Sequence, residues 1–288
     1  MVAKVPASHL LLISIAALSA LQEDIPWELT CKHLPDVLQY IQTSDDDSEL
    51  DDACRSLDYI LKRFVRQQLS IPKAVMDKVP YLIKHLMHPS QYVRNTSNDV
   101  LNTIASGSDE ESQVLLDSNI LDVLTKLLDD SDRCGQACIL ISKFTAGNAK
   151  QIACVMENGI MTKLINIVTN LYGDLETWRD ASWAVANALD GRRSPEQFRS
   201  LVLCGAIEPL CKMLAIHSHR FASEGDEGHL KIKTTRRLLR CLDQATIHLS
   251  SLQGPDFAHV PNIISMVEEI FTRESYHSYQ RESKNGSR

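Results

Sequence analysis

Apolar residues recur along this chain at the spacing of one helix face. Five segments carry the pattern most cleanly: Leu34 to Ile41, Pro80 to Met87, Ile120 to Leu128, Ile160 to Val168 and Ile207 to Leu214. In each, apolar side chains fall at i, i+3, i+4 and i+7, so they share one side of a helix. No run keeps the alternation of a strand. A shorter apolar segment precedes each of the last three, separated from it by Ser118-Asn119, Asn158-Gly159 and Cys204-Gly205. Asn or Gly at such a point can take the left-handed backbone that ends a helix. A longer amphipathic segment follows. The whole unit returns about every forty residues.

This pattern predicts an all-α repeat protein with a period in the armadillo or HEAT range. One unit cannot bury its own apolar face, and stacking neighbours supplies the core. Two places break the period. Asp45 to Asp52 carries six acidic residues in eight positions and reads as a solvated turn. His217 to Leu230 reads as an insertion. It holds His217, His219, Asp226, Glu227 and His229, but in a Ser/Gly-rich stretch without fixed helical spacing, which argues against a metal site. The expected organisation is a remnant helix within 1–29, about five repeats over 30–260, a terminal helix over 261–272 and a disordered polar tail over 273–288.

Composition adds modest constraints. The chain has 288 residues, of which 44% are hydrophobic, and only 11 Gly and 10 Pro, which favours helix. A net charge of -7 argues against nucleic acid as a partner and favours basic ones. The eight cysteines form no zinc-ribbon or C-x-x-C spacing. Cys134 and Cys138 can share a helix face, but nothing completes a site, and the cysteines read as small buried residues of a reducing compartment. Leu10 to Leu21 follows Lys4 and has two readings: the apolar core of a signal peptide, or the last helix of a preceding repeat. The cysteine pattern favours the second. The segment is too short to span a bilayer, and no membrane partner is expected. No P-loop, dinucleotide fingerprint or G-x-S-x-G is present, so neither an enzyme nor a cofactor is expected.

One stretch carries candidate chemistry. In Trp178-Arg179-Asp180-Ala181-Ser182-Trp183-Ala184-Val185-Ala186-Asn187, a helix places Asp180, Trp183 and Asn187 on one stripe. An indole can cover a cation or an aliphatic stem, an amide can pair with a peptide backbone, and a carboxylate can hold an ammonium. The alternative is that Trp183 is simply core.

Asp180 to Ala188 resembles the third helix of an importin-α armadillo repeat. Leu86 to Ser90, Gly107 to Val114, Thr145 to Ile152, Ser194 to Val202 and Cys204 to Cys211 extend the resemblance in one register from about residue 30 to 215. It implies a right-handed superhelical armadillo solenoid whose third helices line a concave groove. It further implies that Trp/Asn pairs on those helices bind basic nuclear localisation signals of cargo proteins, in cytoplasm and nucleus. In register, the pairs fall at Arg55 and Tyr59, Asp99 and Thr103, Ile139 and Lys143, Trp183 and Asn187, and Arg240 and Gln244. Arg55 and Ile139 stand where the family carries Trp, and Lys143 where it carries Asn. Gln136 stands where Asp180 stands one repeat later.

The resemblance therefore assigns peptide binding to Trp183, Asn187, Asp180 and Tyr59, with weakened affinity. One cation–indole contact gives about 0.5–2 kcal/mol, whereas a micromolar complex needs about 8 kcal/mol. The family's importin-β-binding arm is basic. Nothing before residue 30 is basic beyond Lys4, so importin-β binding is not expected of this chain by itself. The alternative function is an armadillo scaffold that has lost signal binding. Arg55, Lys143 and Arg240 on groove helices would then suit an acidic partner.

Overall fold

A computed structural model describes residues 27–170, 175–190, 194–220, 228–270 and 272. Its regular elements are helices. The chain divides into two compact units at Asp130/Ser131. The helix expected at 10–21 and the tail from 273 lie outside the described residues.

The first unit holds α1 (Trp27–Thr43), α2 (Asp47–Arg66), α3 (Lys73–Met76), α4 (Val79–His85), α5 (Gln91–Ala105), α6 (Asp109–Asp117) and α7 (Ile120–Leu127). Two expectations are corrected here. Helix α1 starts well before Leu34 and runs through Pro35. Tertiary packing holds the extra turns: the Trp27 ring lies 4.8 Å from that of Phe64, and the Arg63 guanidinium stands 5.3 Å over it. The acidic run is mostly helix and not a turn. Asp46 caps α2, its carboxylate accepting from the backbone N–H of Ser48 and Glu49. Acidic residues belong at a helix start, where free N–H groups and the macrodipole favour negative charge.

The second unit holds α8 (Cys134–Thr145), α9 (Ala149–Glu157), α10 (Ile160–Thr169), α11 (Leu175–Asp190), α12 (Pro195–Leu203), α13 (Ile207–Arg220) and α14 (Gly228–Leu249). A short 3-10 turn (Pro255–Phe257) and α15 (260–270) follow. The predicted insertion is partly helical: 217–220 end α13 and 228–230 begin α14, while 221–227 lie outside the described residues. Among the described residues no His/Cys/Asp/Glu group could hold a metal ion, and no single helix is long and apolar enough to cross a membrane.

The turns take the backbone their residues predict. Asn119, Gly159 and Gly205 have φ of 61°, 70° and 80°. The left-handed turn at Gly159 bends α9 against α10 by 77°. The helix that follows each turn buries the apolar stripe read from the sequence, as with Ile120, Leu121, Leu124 and Leu127 in α7 and Ile160, Met161, Leu164 and Val168 in α10.

A second recurring device sits where a third helix gives way to the next first helix. Ser108 with Glu111, Asn148 with Gln151, and Ser194 with Gln197 each form a reciprocal capping box. In two of the three boxes the Glu or Gln also reaches the preceding repeat of its own unit. The backbone N–H of Ile71 donates to Glu111 Oε1 (2.6 Å), and Gln197 Nε2 donates to the Ala149 carbonyl (2.6 Å). The preceding glycine makes room. A Cβ on Gly107 would stand 2.0 Å from Glu111 Oε2, and one on Gly147 1.7 Å from Gln151 Oε1. These boxes thus tie local capping to repeat stacking.

Two expected outcomes follow from this packing. Glu111→Ala removes a cap and leaves the Ile71 N–H without its carboxylate, so urea unfolding of the intact chain should report a loss of about 1–3 kcal/mol. His85 is buried, and its burial, then the charges of His88 and Lys84, push its imidazole down from 6.5 to about 4. The folded chain thus keeps His85 neutral while the unfolded chain takes up a proton near pH 6.5. The stability this confers is present above pH 6.5 and lost as pH falls toward 4. The melting midpoint of wild type should drop across that window, and His85→Leu should flatten the drop.

Candidate functional site

The third helices α2, α5, α8, α11 and α14 share one burial pattern. In α2, α5, α8 and α11 the residues on both sides of one outward position are buried, and in α14 Cys241 is buried and Leu239 half-buried around Arg240. That position is Arg55, Asp99, Ile139, Trp183 and Arg240 in turn. Arg55, Asp99, Ile139 and Arg240 are exposed, and Trp183 is half-buried. These are the positions the sequence register assigns to the outward tryptophan. One turn later, Tyr59 and Lys143 are half-buried, Thr103 and Asn187 are buried, and Gln244 is exposed.

In the first unit, α2 and α5 lie side by side and parallel. Cys54 Sγ is 3.4 Å from Ser97 Oγ, and Thr103 Oγ1 donates to Asp58 Oδ1 at 2.6 Å. Lys62 pairs with the other oxygen of Asp58 at 2.6 Å. Arg55, expected to suit an acidic partner, pairs with Asp51 at 2.6 Å, as i,i+4 spacing allows. Partial burial, then the nearby charge of Asp58, pushes the Asp99 carboxyl above its ordinary value. Tyr59 sits half-buried on α2 beside Asp58. Sequence reading missed Asp58, although it links the two helices. Its residue type and position gave no signal until the partner helix was in place.

The second unit holds the stretch that carried the candidate chemistry. Its two tryptophans divide the work. Trp178 is buried, and its Nε1 donates to the Val168 carbonyl, pinning α11 to the end of α10. Trp183, five residues on, points elsewhere and keeps part of its surface in solvent.

Contacts between α8 and α11 fix their alignment. A Cβ on Gly135 would meet Thr177 Oγ1 at 2.9 Å, so the glycine permits the close approach. Further along, the Asp180 charge is felt at Cys138, and Asn187 Nδ2 donates to the Ser142 carbonyl at 2.9 Å. The helices run parallel, and this register sets Ile139 level with Trp183 and Lys143 level with Asn187.

Structure thus brings Asp180, Trp183 and Asn187 onto one stripe and sets Tyr59 in the other unit. It also corrects what two of the three can offer. The Asp180 side chain is only 8% exposed, and Arg179 Nε donates to its Oδ1 at 2.9 Å. Asn187 is 8% exposed and already holds the neighbouring helix. Cys134 and Cys138 share a buried face. The bond with Cys134, then burial, raises the Cys138 thiol, so it stays protonated.

No protein-family model matches the chain. Importin subunit alpha-1a of Oryza sativa subsp. japonica is 32% identical over 143 residues, which cover 49% of this chain and 27% of that protein. The match thus spans about a quarter of that relative's length. Among solved structures, a designed armadillo repeat protein in complex with peptide (KR)4 aligns with a TM-score of 0.59 and 26% identity, over 83% of this chain and 99% of that one. A second designed armadillo repeat protein gives 0.58 and 25%, over 82% and 99%. With its three-helix units and left-handed turns, the chain has an all-α armadillo-repeat solenoid fold and is distantly related to the importin-α proteins.

Proposed function

We propose that the chain is an importin-α-like adaptor that takes an extended basic segment of another protein against its third helices, with weakened affinity for nuclear localisation signals. The observation that carries this reading is Trp183, a half-exposed indole on α11 with Asn187 one turn away and Asp180 at its base. A designed armadillo relative at 26% identity is in complex with peptide (KR)4. The net charge of -7 also favours a basic partner.

The weakening has physical causes. Cation–indole contact at one site supplies about 0.5–2 kcal/mol, far from the roughly 8 kcal/mol of a micromolar complex. Asp180 must leave Arg179 before it can hold an incoming cation. Work in cytoplasm and nucleus belongs to the same proposal.

A second reading, a scaffold for an acidic partner, draws on Lys143 and Arg240, which lie on third helices, Lys143 half-buried and Arg240 exposed. Arg55 contributes less to it, because Asp51 already balances its charge.

Titration of a labelled Lys/Arg-rich signal peptide tests the first reading. Binding should be weaker than micromolar, and Trp183→Ala should weaken it about 2- to 30-fold, matching one cation–indole contact. Asn187→Ala, which removes the bond to Ser142, should cost about 1 kcal/mol of folding stability whether or not peptide binds. An absence of binding below millimolar, or indifference to Trp183→Ala, refutes the basic-signal reading.

A further inference from the structure

On α8 and α11, the outward surface combines exposed apolar side chains with a cation, and a purely basic peptide uses neither in full. Ile139 is 39% exposed, and the register of α8 against α11 sets it level with the half-exposed indole of Trp183. The alignment of Gly135 with Thr177 and of Ser142 with Asn187 holds them there. Covering this isoleucine with an apolar side chain would remove its exposed surface from water. Lys143 lies one turn along α8, half-buried and without an ion pair among the described residues. A partly desolvated ammonium gains more from an incoming carboxylate than one in open water. The groups that would hold a cation at this place are engaged. Arg179 occupies Asp180, and Ser142 takes a hydrogen of Asn187.

We propose that the apolar surface of Ile139 and Trp183 binds an apolar side chain of an extended segment, and that an acidic residue two positions from it pairs with Lys143. The inference rests on the reading that the α8–α11 face takes an extended segment, and it develops the acidic-partner form of that reading: at this position the segment offers an apolar side chain and an acid in place of the basic side chains of a nuclear localisation signal. The spacing agrees with chain geometry. Ile139 and Lys143 are one turn apart, about 5.4 Å along the helix. In an extended chain, residues i and i+2 face the same side about 6.6 Å apart. The long Lys side chain covers the difference and reaches an acid on either side of the apolar residue. The apolar contact supplies affinity, and the charge pair supplies selectivity.

The test uses the intact chain and short fluorescein-labelled peptides, read by anisotropy. One peptide carries Glu-Ser-Leu-Ser-Glu, a second Lys-Ser-Leu-Ser-Lys, and a third Glu-Ser-Ser-Ser-Glu. The Glu/Leu peptide should bind about five-fold more tightly than the Lys/Leu peptide, as expected for one partly exposed ion pair. Loss of the leucine should weaken binding about ten-fold, the value of one buried apolar side chain. Lys143→Gln should abolish the charge preference and Lys143→Glu should reverse it, with helical circular dichroism unchanged in at least the first variant. Raised salt should shrink the preference. The proposal is overturned if wild type prefers the Lys/Leu peptide, if leucine is irrelevant, or if the preference for Glu survives both Lys143 variants. Should the Lys/Arg-rich signal bind through Trp183 while the Glu/Leu peptide shows no advantage, this inference alone falls. Should no peptide bind below millimolar, the extended-segment reading falls with it.

Discussion

Each third helix carries buried side chains on both flanks of one outward residue, so it must be covered from two sides before it is stable. In α8, Cys138 and Leu140 are buried while Ile139 between them stands out. The same holds for Cys54 and Ser56 around Arg55, and for Asn98 and Val100 around Asp99. A lone helix cannot meet this demand, and neither can a lone repeat. Burial on both flanks leaves the outward position free of core packing. On these helices that position holds Arg, Asp, Ile, Trp and Arg in turn. The fold therefore fixes where a partner would touch, and the outward residue sets what it would touch.

Side-chain hydrogen bonds set how closely the helices approach. Thr103 on Asp58 and Asn187 on Ser142 perform the same task in the two units: a polar side chain at the second position of one third helix grips its neighbour. The first helices use another device. A capping residue closes its own helix end, and the Glu or Gln of the box also reaches back to the preceding repeat. One side chain thus satisfies local backbone donors and sets the stacking distance together. Losing it costs more than a surface cap would, because a backbone group at the junction is left unpaired.

The same economy limits binding. A groove that recognises an extended chain needs amides and carboxylates held in place yet available. On α11 they are held in place by being used: Asp180 by Arg179, and Asn187 by Ser142. On the proposed reading, contact with a partner falls to Trp183, Ile139 and Lys143, a set suited to an apolar contact with a charge beside it. In the first unit, Asp51 and Asp58 hold Arg55 and Lys62 in pairs along α2. The net charge of the chain favours basic partners, while this local chemistry decides what each position can hold.

Periodicity in the sequence was enough for the helices, their grouping and the turns. The apolar stripes of α7 and α10 and the left-handed Asn119, Gly159 and Gly205 follow from spacing and residue type, which are local properties. Register likewise placed Arg55, Asp99, Ile139, Trp183 and Arg240 at equivalent outward positions. Contacts between distant residues were not legible. Helix α1 passes through Pro35 because Trp27 packs on Phe64. The acidic run opens α2 because Asp46 caps it. Sequence alone put Asp180, Trp183 and Asn187 on one stripe, but could not say that Arg179 and a carbonyl 45 residues away would claim two of them. Which groups lie on a helix face is decided by the helical period, and which remain available is decided by the neighbours that the fold packs against that face.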